Sequence, residues 1–238
     1  WTEKLPEKLS GICDEEQYRK TRLYDKDNKK LSLWSSACNL GAIVVMIAAG
    51  GFAFVDDVSR SLSDKIVIIS LFFFGIIGFL SELINIPFGL YDNFVIEKKH
   101  GFNKMTIRIF ITDHLKSWFI ALLIGIPVLG LITWGYYKTG KGFWLYAWGL
   151  ITLLSVFMNF FYSELIVPLF NKQVPLEKGS LRDKIESFAE KTGFKLRNIY
   201  VIDGSKRSTK ANAYFSGFGS KKRIVLYDTL LKKLTEEE

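Results

Sequence analysis

The sequence predicts a mainly α-helical protein: a polytopic transmembrane helical region joined to a small α+β cytoplasmic domain of helix, three short strands and helix. Three observations predict it. First, hydrophobic residues make up 49% and aromatics 15% of the chain while charged residues still reach 24%, so apolar and charged stretches must segregate. They do, with long apolar runs between Leu40 and Pro168 and charge collected before Lys30 and after Asn171. Second, four segments are long and apolar enough to cross a hydrocarbon core of ~30 Å, which takes ~20 helical residues. Third, Lys and Arg alternate between the connecting pieces. The 1–32 tail holds 8 and the 91–117 loop 5, against 2 each in the pieces 56–65 and 138–142. That bias places the tail, the 91–117 loop and the C-terminal region in the cytoplasm.

The first membrane segment runs from Leu33 to Val55, with a short glycine-bearing apolar heart that also suits a tilted or partly buried helix. The second runs from Ile66 to Leu90, the third from Trp118 to Tyr137 and the fourth from Phe143 to Val167. Pro87 and Pro127 each remove a backbone donor and should bend the helix that holds them. Glu82 and Asn85 lie toward the cytoplasmic end of the second segment, and Asn159 and Glu164 toward that of the fourth. A carboxylate at such depth faces the bundle interior, faces water, or pairs with a basic residue at the interface.

After Pro168 the chain changes character, and Leu169 to Leu176 reads as a linker. Ser180 and Asp183 resemble an N-cap pair, and Leu181, Ile185, Phe188 and Ala189 recur at helical spacing, so 181–192 should be an amphipathic helix ending at Gly193. A strand follows over Asn198 to Asp203, then a Gly, Ser and Lys loop from Gly204 to Lys210. Ala211 to Gly217 and Lys222 to Tyr227 read as a hairpin turning through Gly217, Gly219 and Ser220. Asp228 is placed to cap a last helix through Leu230, Leu231 and Leu234.

The net charge of +8 follows from this topology. Nucleic-acid binding would need basic residues interleaved with aromatics in a recognisable module, and none is present, so no nucleic-acid partner is expected. Cys13 and Cys38 have no CxxC spacing, which argues against a disulfide framework or a cysteine metal site. The histidines are His100 and His114, neither in an HExxH or HxH pattern. Glu97 with His100, or Asp113 with His114, leaves room for a weak metal site, but polar loop histidines are the better reading. There is no GxSxG, P-loop or dinucleotide fingerprint. The chain opens on Trp1, and Thr235 to Glu238 reads as the start of a helix, so a piece of a longer protein is expected.

Several segments in order carry a resemblance. The run Tyr91-Asp92-Asn93-Phe94-Val95-Ile96-Glu97-Lys98-Lys99-His100-Gly101-Phe102-Asn103 resembles the cytoplasmic loop of the integral-membrane CAAX prenyl endopeptidases. So do Ile166-Val167-Pro168-Leu169-Phe170-Asn171 with Pro175-Leu176, and Gly204-Ser205-Lys206-Arg207-Ser208 followed by Ala211-Asn212-Ala213-Tyr214-Phe215. Arg223-Ile224-Val225-Leu226-Tyr227-Asp228-Thr229-Leu230-Leu231 is similar to the segment leading into that family's zinc helix.

The resemblance implies a seven-helix membrane metalloprotease whose zinc is held by an HExxH helix and a later glutamate. None of these ligands is in this chain, so a Zn²⁺ cofactor is expected for the parent protein, no bound metal for this piece, and no activity for the piece alone. It further implies a peptide or protein substrate, CAAX-type, prenylated or membrane-borne, with membrane lipid around the helices. Asn212, Ala213 and Tyr214 match the family's Asn-Ala strand, which implies an edge that pairs with extended substrate; a plain hairpin strand is the alternative for these residues. On this reading 1–32 is a cytoplasmic N-terminal segment, 33–168 holds four transmembrane helices with a cytoplasmic loop at 91–117, and 169–238 is the α+β portion of the peptidase domain. The membrane is a bacterial inner membrane or the endoplasmic reticulum. A non-catalytic membrane binding protein, or a degenerate relative of the protease, is the rival reading.

Overall fold

The computed structural model describes residues 5, 11, 14–217 and 222–235. The hairpin turn expected at Gly219 and Ser220, the Glu236 to Glu238 part of the expected helix start, and most of the first thirteen residues lie outside the described residues. The chain divides into two compact units, 1–103 and 104–238.

In the first unit, α1 (Glu15–Ala48) is a single helix of 34 residues, about 50 Å long at the α-helical rise. Its first half is charged and carries exposed i,i+4 pairs such as Lys20 with Glu16 at 2.8 Å and Lys29 with Asp25 at 2.7 Å. Such pairs contribute only about 0.3–0.5 kcal/mol each. Its second half is apolar, and the chain turns at Gly50, whose φ of 67° is open to glycine at little cost. The segment expected to run unbroken from Leu33 to Val55 is therefore two helices, because α2 (Gly51–Leu62) starts afresh beyond that left-handed residue. α2 packs against α3 (Ile66–Tyr91), which contains Pro87 and passes into a π turn over Asp92–Ile96 and a short helix α4 (Glu97–Lys99).

Three sets of polar contacts fix α1 to α3 and its extension. Asn39 Nδ2 donates to Asn85 Oδ1 at 3.0 Å, and Asn85 returns a longer bond at 3.4 Å. Nearer the start of α1, Asp27 receives Lys99 Nζ at 2.7 Å and lies 2.9 Å from His100 Nε2. Tyr24 donates to Glu97 and meets the rings of His100 and Phe102 edge-on, each at 5.2 Å.

In the second unit, α5 (Ile107–Thr139) is capped by Thr106 Oγ1, contains Pro127, and is followed by a 3₁₀ turn over Gly140–Gly142 and α6 (Phe143–Leu165). The two form a hairpin. Trp134 and Tyr136 of α5 meet Tyr146 and Phe143 of α6 next to the turn, and at the far end Lys116 Nζ donates to the Leu169 carbonyl at 2.8 Å. Among the described residues three helical runs, 15–48, 66–99 and 107–170, are long and apolar enough to cross a membrane, the last being this hairpin. Leu122, Leu123, Trp144, Trp148 and Leu153 point outward from it, as side chains facing lipid do.

A short helix α7 (Val167–Phe170) leads into a four-stranded sheet of order β1-β2-β4-β3. Its strands are β1 (Gln173–Pro175), β2 (Asn198–Ile202), β3 (Ala213–Ser216) and β4 (Arg223–Tyr227), with α8 (Ser180–Lys191) between β1 and β2 and α9 (Asp228–Leu231) after β4. β2 and β4 run parallel, and the outer pairs are antiparallel. Three strands were expected; β1 is a fourth, formed in the expected linker, where three residues ending in proline serve as an edge strand. α8 begins at Ser180, with Gly179 and not Ser180 at the N-cap. Arg182 anchors it, donating to the Leu176 carbonyl at 2.6 Å and to Asn198 Oδ1 at 2.8 Å. The core is small: Val167 of α7 packs on Ile202 and Val225, flanked by Tyr200, Tyr214 and Tyr227.

Candidate functional site

Among the described residues β3 is an edge strand, paired to β4 alone. The bond from Tyr227 N to Asn212 O, 3.0 Å, fixes which way each residue of the strand faces. With Ala213 opposite Leu226 and Tyr214 opposite Val225, the antiparallel alternation turns the main-chain groups of Asn212, Tyr214 and Ser216 toward β4. Those of Ala213 and Phe215 therefore face the open edge. Asn212 Oδ1 accepts the Ala213 N–H at 2.9 Å, so this outward donor is satisfied by the neighbouring side chain.

The side chains alternate too. Ala213 and Phe215 are exposed, Phe215 at 75%, with its ring 6.2 Å from that of Phe194. Tyr214 points to the opposite face, over Val225 and beside Tyr227, with ring centroids 6.5 Å apart. Burial pushes its phenol above the ordinary tyrosine value, a shift partly opposed by the nearby Ser163 hydroxyl. Of the three residues singled out in the sequence, Asn212 and Ala213 thus belong to the exposed edge, and Tyr214 anchors the strand from beneath.

The segment before β3 is tied down on several sides. Arg207 spends its guanidinium on Asp113 through Nε at 2.8 Å and Nη2 at 3.0 Å, on Asn171 Oδ1 at 2.7 Å and on the Phe170 carbonyl at 2.7 Å. Its own carbonyl accepts from Lys104 N at 2.9 Å. Asp203 accepts from Lys172 N at 2.7 Å. On the sheet side, Ser205 donates to Asp228 through both its hydroxyl and its N–H, the latter at 2.9 Å. Burial raises the Asp228 carboxyl, but the two Ser205 bonds outweigh it and hold the group below its ordinary value. Asp228 is the first residue of α9, one place past the cap position expected for it, and bonds across to Ser205.

Glu164, in the last turn of α6, pairs with Arg223 of β4 and more loosely with Arg197 at 3.4 Å. Of the alternatives open for a carboxylate at that depth, pairing with a basic residue is the one found. The sequence marks Glu164 as a carboxylate near a helix end without naming Arg223 as its partner, and reads 204–208 as a loop. The run Gly204 to Ser208 and the neighbouring Asp113 were the available signals, but neither shows from sequence that it meets the other.

The histidines do other work. His100 pairs with Asp27, while Glu97 goes to Tyr24. His114 lies inside α5 and not in a loop, with Nδ1 2.9 Å from the Phe110 carbonyl and its ring 4.1 Å from that of Phe110.

Fold and site together define a class: a polytopic membrane protein with a small mixed sheet mounted on a helical hairpin and β3 at one edge of that sheet. The family model "CAAX prenyl protease N-terminal, five membrane helices" matches residues 1–172, and "Peptidase family M48" matches residues 175–238. A probable CAAX prenyl protease 1 of Schizosaccharomyces pombe is 39% identical over 99% of this chain and 52% of its own length. The CAAX prenyl protease 1 homolog of Homo sapiens is 36% identical over 98% of this chain and 50% of its own. The crystal structure of S. mikatae Ste24p superposes with a TM-score of 0.90 at 40% identity, covering 97% of this chain and 56% of that one. The chain belongs to the CAAX prenyl protease family of M48 membrane peptidases, and it spans about half the length of the curated relatives it matches.

Membership implies a metal in the protein. The residues described here do not fit one: among them no group of three His, Cys, Asp or Glu side chains could hold a metal ion.

Proposed function

We propose that the protein carrying this chain is a zinc-dependent endopeptidase of the membrane, acting on CAAX-type, prenylated or membrane-borne peptide substrates. This chain contributes membrane helices and a docking edge to it. The observation that carries the reading is the open side of β3, where the main-chain groups of Ala213 and Phe215 face outward. An extended peptide can add there as a further strand, gaining regular hydrogen bonds whatever its side chains are. The names of the relatives supply the substrate class.

Asn212, Ala213 and Tyr214 then have distinct roles. Ala213 offers its N–H and carbonyl to the peptide, and its small side chain leaves the approach open. Asn212 satisfies the Ala213 N–H beforehand and releases it when the peptide arrives, which limits the cost of an unpaired donor. Tyr214 holds the strand to the sheet. The 1–32, 33–168 and 169–238 partition, with 91–117 and the sheet in the cytoplasm, is part of the same proposal and rests on the distribution of Lys and Arg.

The test is Ala213→Pro in the full-length protein. Proline at an outward-facing N–H of an edge strand leaves the β3–β4 ladder intact. Losing one such bond, worth about 0.5–1.5 kcal/mol, should raise KM by roughly 2- to 12-fold with the fold unchanged. An unaltered KM would contradict docking at this edge.

A further inference from the structure

The 204–207 segment precedes the docking strand, and its bonds run to the membrane hairpin and to the residue just past β4. Toward the hairpin, the Arg207 guanidinium meets Asp113 in the second turn of α5, the carbonyl of Phe170 at the end of α7, and Asn171 just beyond it. Toward the sheet, Ser205 holds Asp228 at the end of β4, and Thr229 Oγ1 holds the Lys210 carbonyl at 2.8 Å, two residues before Asn212. Arg207 is four-fifths buried, and its two contacts to Asp113 form a fork that an ammonium cannot reproduce. The path from α5 to the open edge is thus short and bonded at each step: Asp113, Arg207, the 208–211 connection, then Asn212 and Ala213.

We propose that Arg207 and Asp113 are positioning residues, which fix the height and register of the β3 edge relative to the membrane hairpin. This rests on the docking reading of β3. A substrate anchored in the bilayer reaches the edge at a distance set by its own anchor. The edge must therefore be held at a matching height for one particular peptide bond to be presented. A rigid link from membrane helix to docking strand supplies that height, and a compliant one would present neighbouring bonds as well. Displacement of about 1 Å at a reacting centre costs on the order of 100-fold in rate, so a loosened link has a large expected effect even though neither residue touches the peptide.

The experiment compares Arg207→Lys, Asp113→Asn and Ala213→Pro in the full-length protein, reconstituted in vesicles with a prenylated peptide substrate. Cleavage sites are read by mass spectrometry, and backbone hydrogen exchange is followed in parallel. The expected result for Arg207→Lys and Asp113→Asn is a fall in kcat/KM of about 10- to 100-fold, with products cut at neighbouring bonds. Faster exchange should be confined to 208–216, with β2 and α8 protected as before. Two results would overturn the proposal: unchanged kcat/KM with a single cleavage site, or a loss of activity in proportion to exchange that rises throughout the sheet. Ala213→Pro separates the two layers. If it alone is impaired, docking stands and positioning by Arg207 falls; if it too cleaves normally, the docking reading itself falls.

Discussion

The Glu164 carboxylate at the end of α6 is paired with the Arg223 guanidinium at the start of β4, and Arg223 is 6% exposed while Glu164 is 30% exposed. Arg223 also lies 5.3 Å from the centre of the Tyr200 ring, so its charge is enclosed by an acid on one side and an aromatic face on the other. Breaking such a pair is most costly when the more buried partner is left behind. Glu164→Ala should therefore destabilise by about 3–5 kcal/mol, and Arg223→Ala by less, because the remaining carboxylate keeps Arg197 and water. Thermal unfolding of both variants in the same detergent checks the order, and equal or reversed losses would contradict it.

Asp228 gives the sheet a pH dependence of known sign. Its folded-state pKa lies below the unfolded value, so the contribution is present above about pH 4 and is lost as pH falls through the lower, folded value. Ser205→Ala removes the hydroxyl bond that does most to hold that value down. The acid-unfolding midpoint of Ser205→Ala should sit at higher pH than that of the parent chain, with little difference between the two near pH 7 beyond the loss of the bond itself.

Gly135 lies against Tyr146 across the α5–α6 hairpin, and a methyl group there would come within 2.2 Å of the ring. The ring is a rigid neighbour, so Gly135→Ala should cost about 1–3 kcal/mol through overpacking. Adding Tyr146→Leu should recover part of it. Unfolding measurements on the single and double variants test this coupling.

The Asn39–Asn85 pair joins two helices at membrane depth. Interhelical hydrogen bonds in membranes average about 0.6 kcal/mol, while an orphaned amide costs about 1–3 kcal/mol. Asn85→Leu should accordingly be more harmful than the double change Asn39→Leu with Asn85→Leu, measured by thermal stability in detergent.

Much of the fold was legible because hydrophobic length and charge bias report directly on membrane helices. α6 and the amphipathic α8 appear close to where their patterns place them, whereas α5 begins at Ile107, inside the expected 91–117 loop, because its first turns carry polar residues that hydrophobic length alone does not count. The break at Gly50 was not legible, since apolar residues flank it on both sides and periodicity does not register a single left-handed turn. β1 escaped because three residues with a proline carry no alternation to detect. For the candidate site, the match of Asn212 to Tyr214 with the family's strand singled out residues that the fold places at and beside a sheet edge. The anchors did not emerge, because Arg207 with Asp113 and Arg223 with Glu164 are separated by 94 and 59 residues, and no local pattern joins them.

The measurement that tests the central claim most directly is an N-methyl scan of a cleavable peptide against the full-length protein, one backbone amide at a time. A strand added to β3 pairs at alternate residues, so the loss of affinity should alternate with a period of two along the segment opposite Ala213 and Phe215. Sensitivity confined to the bond being cut, or spread evenly along the peptide, would contradict docking on this edge.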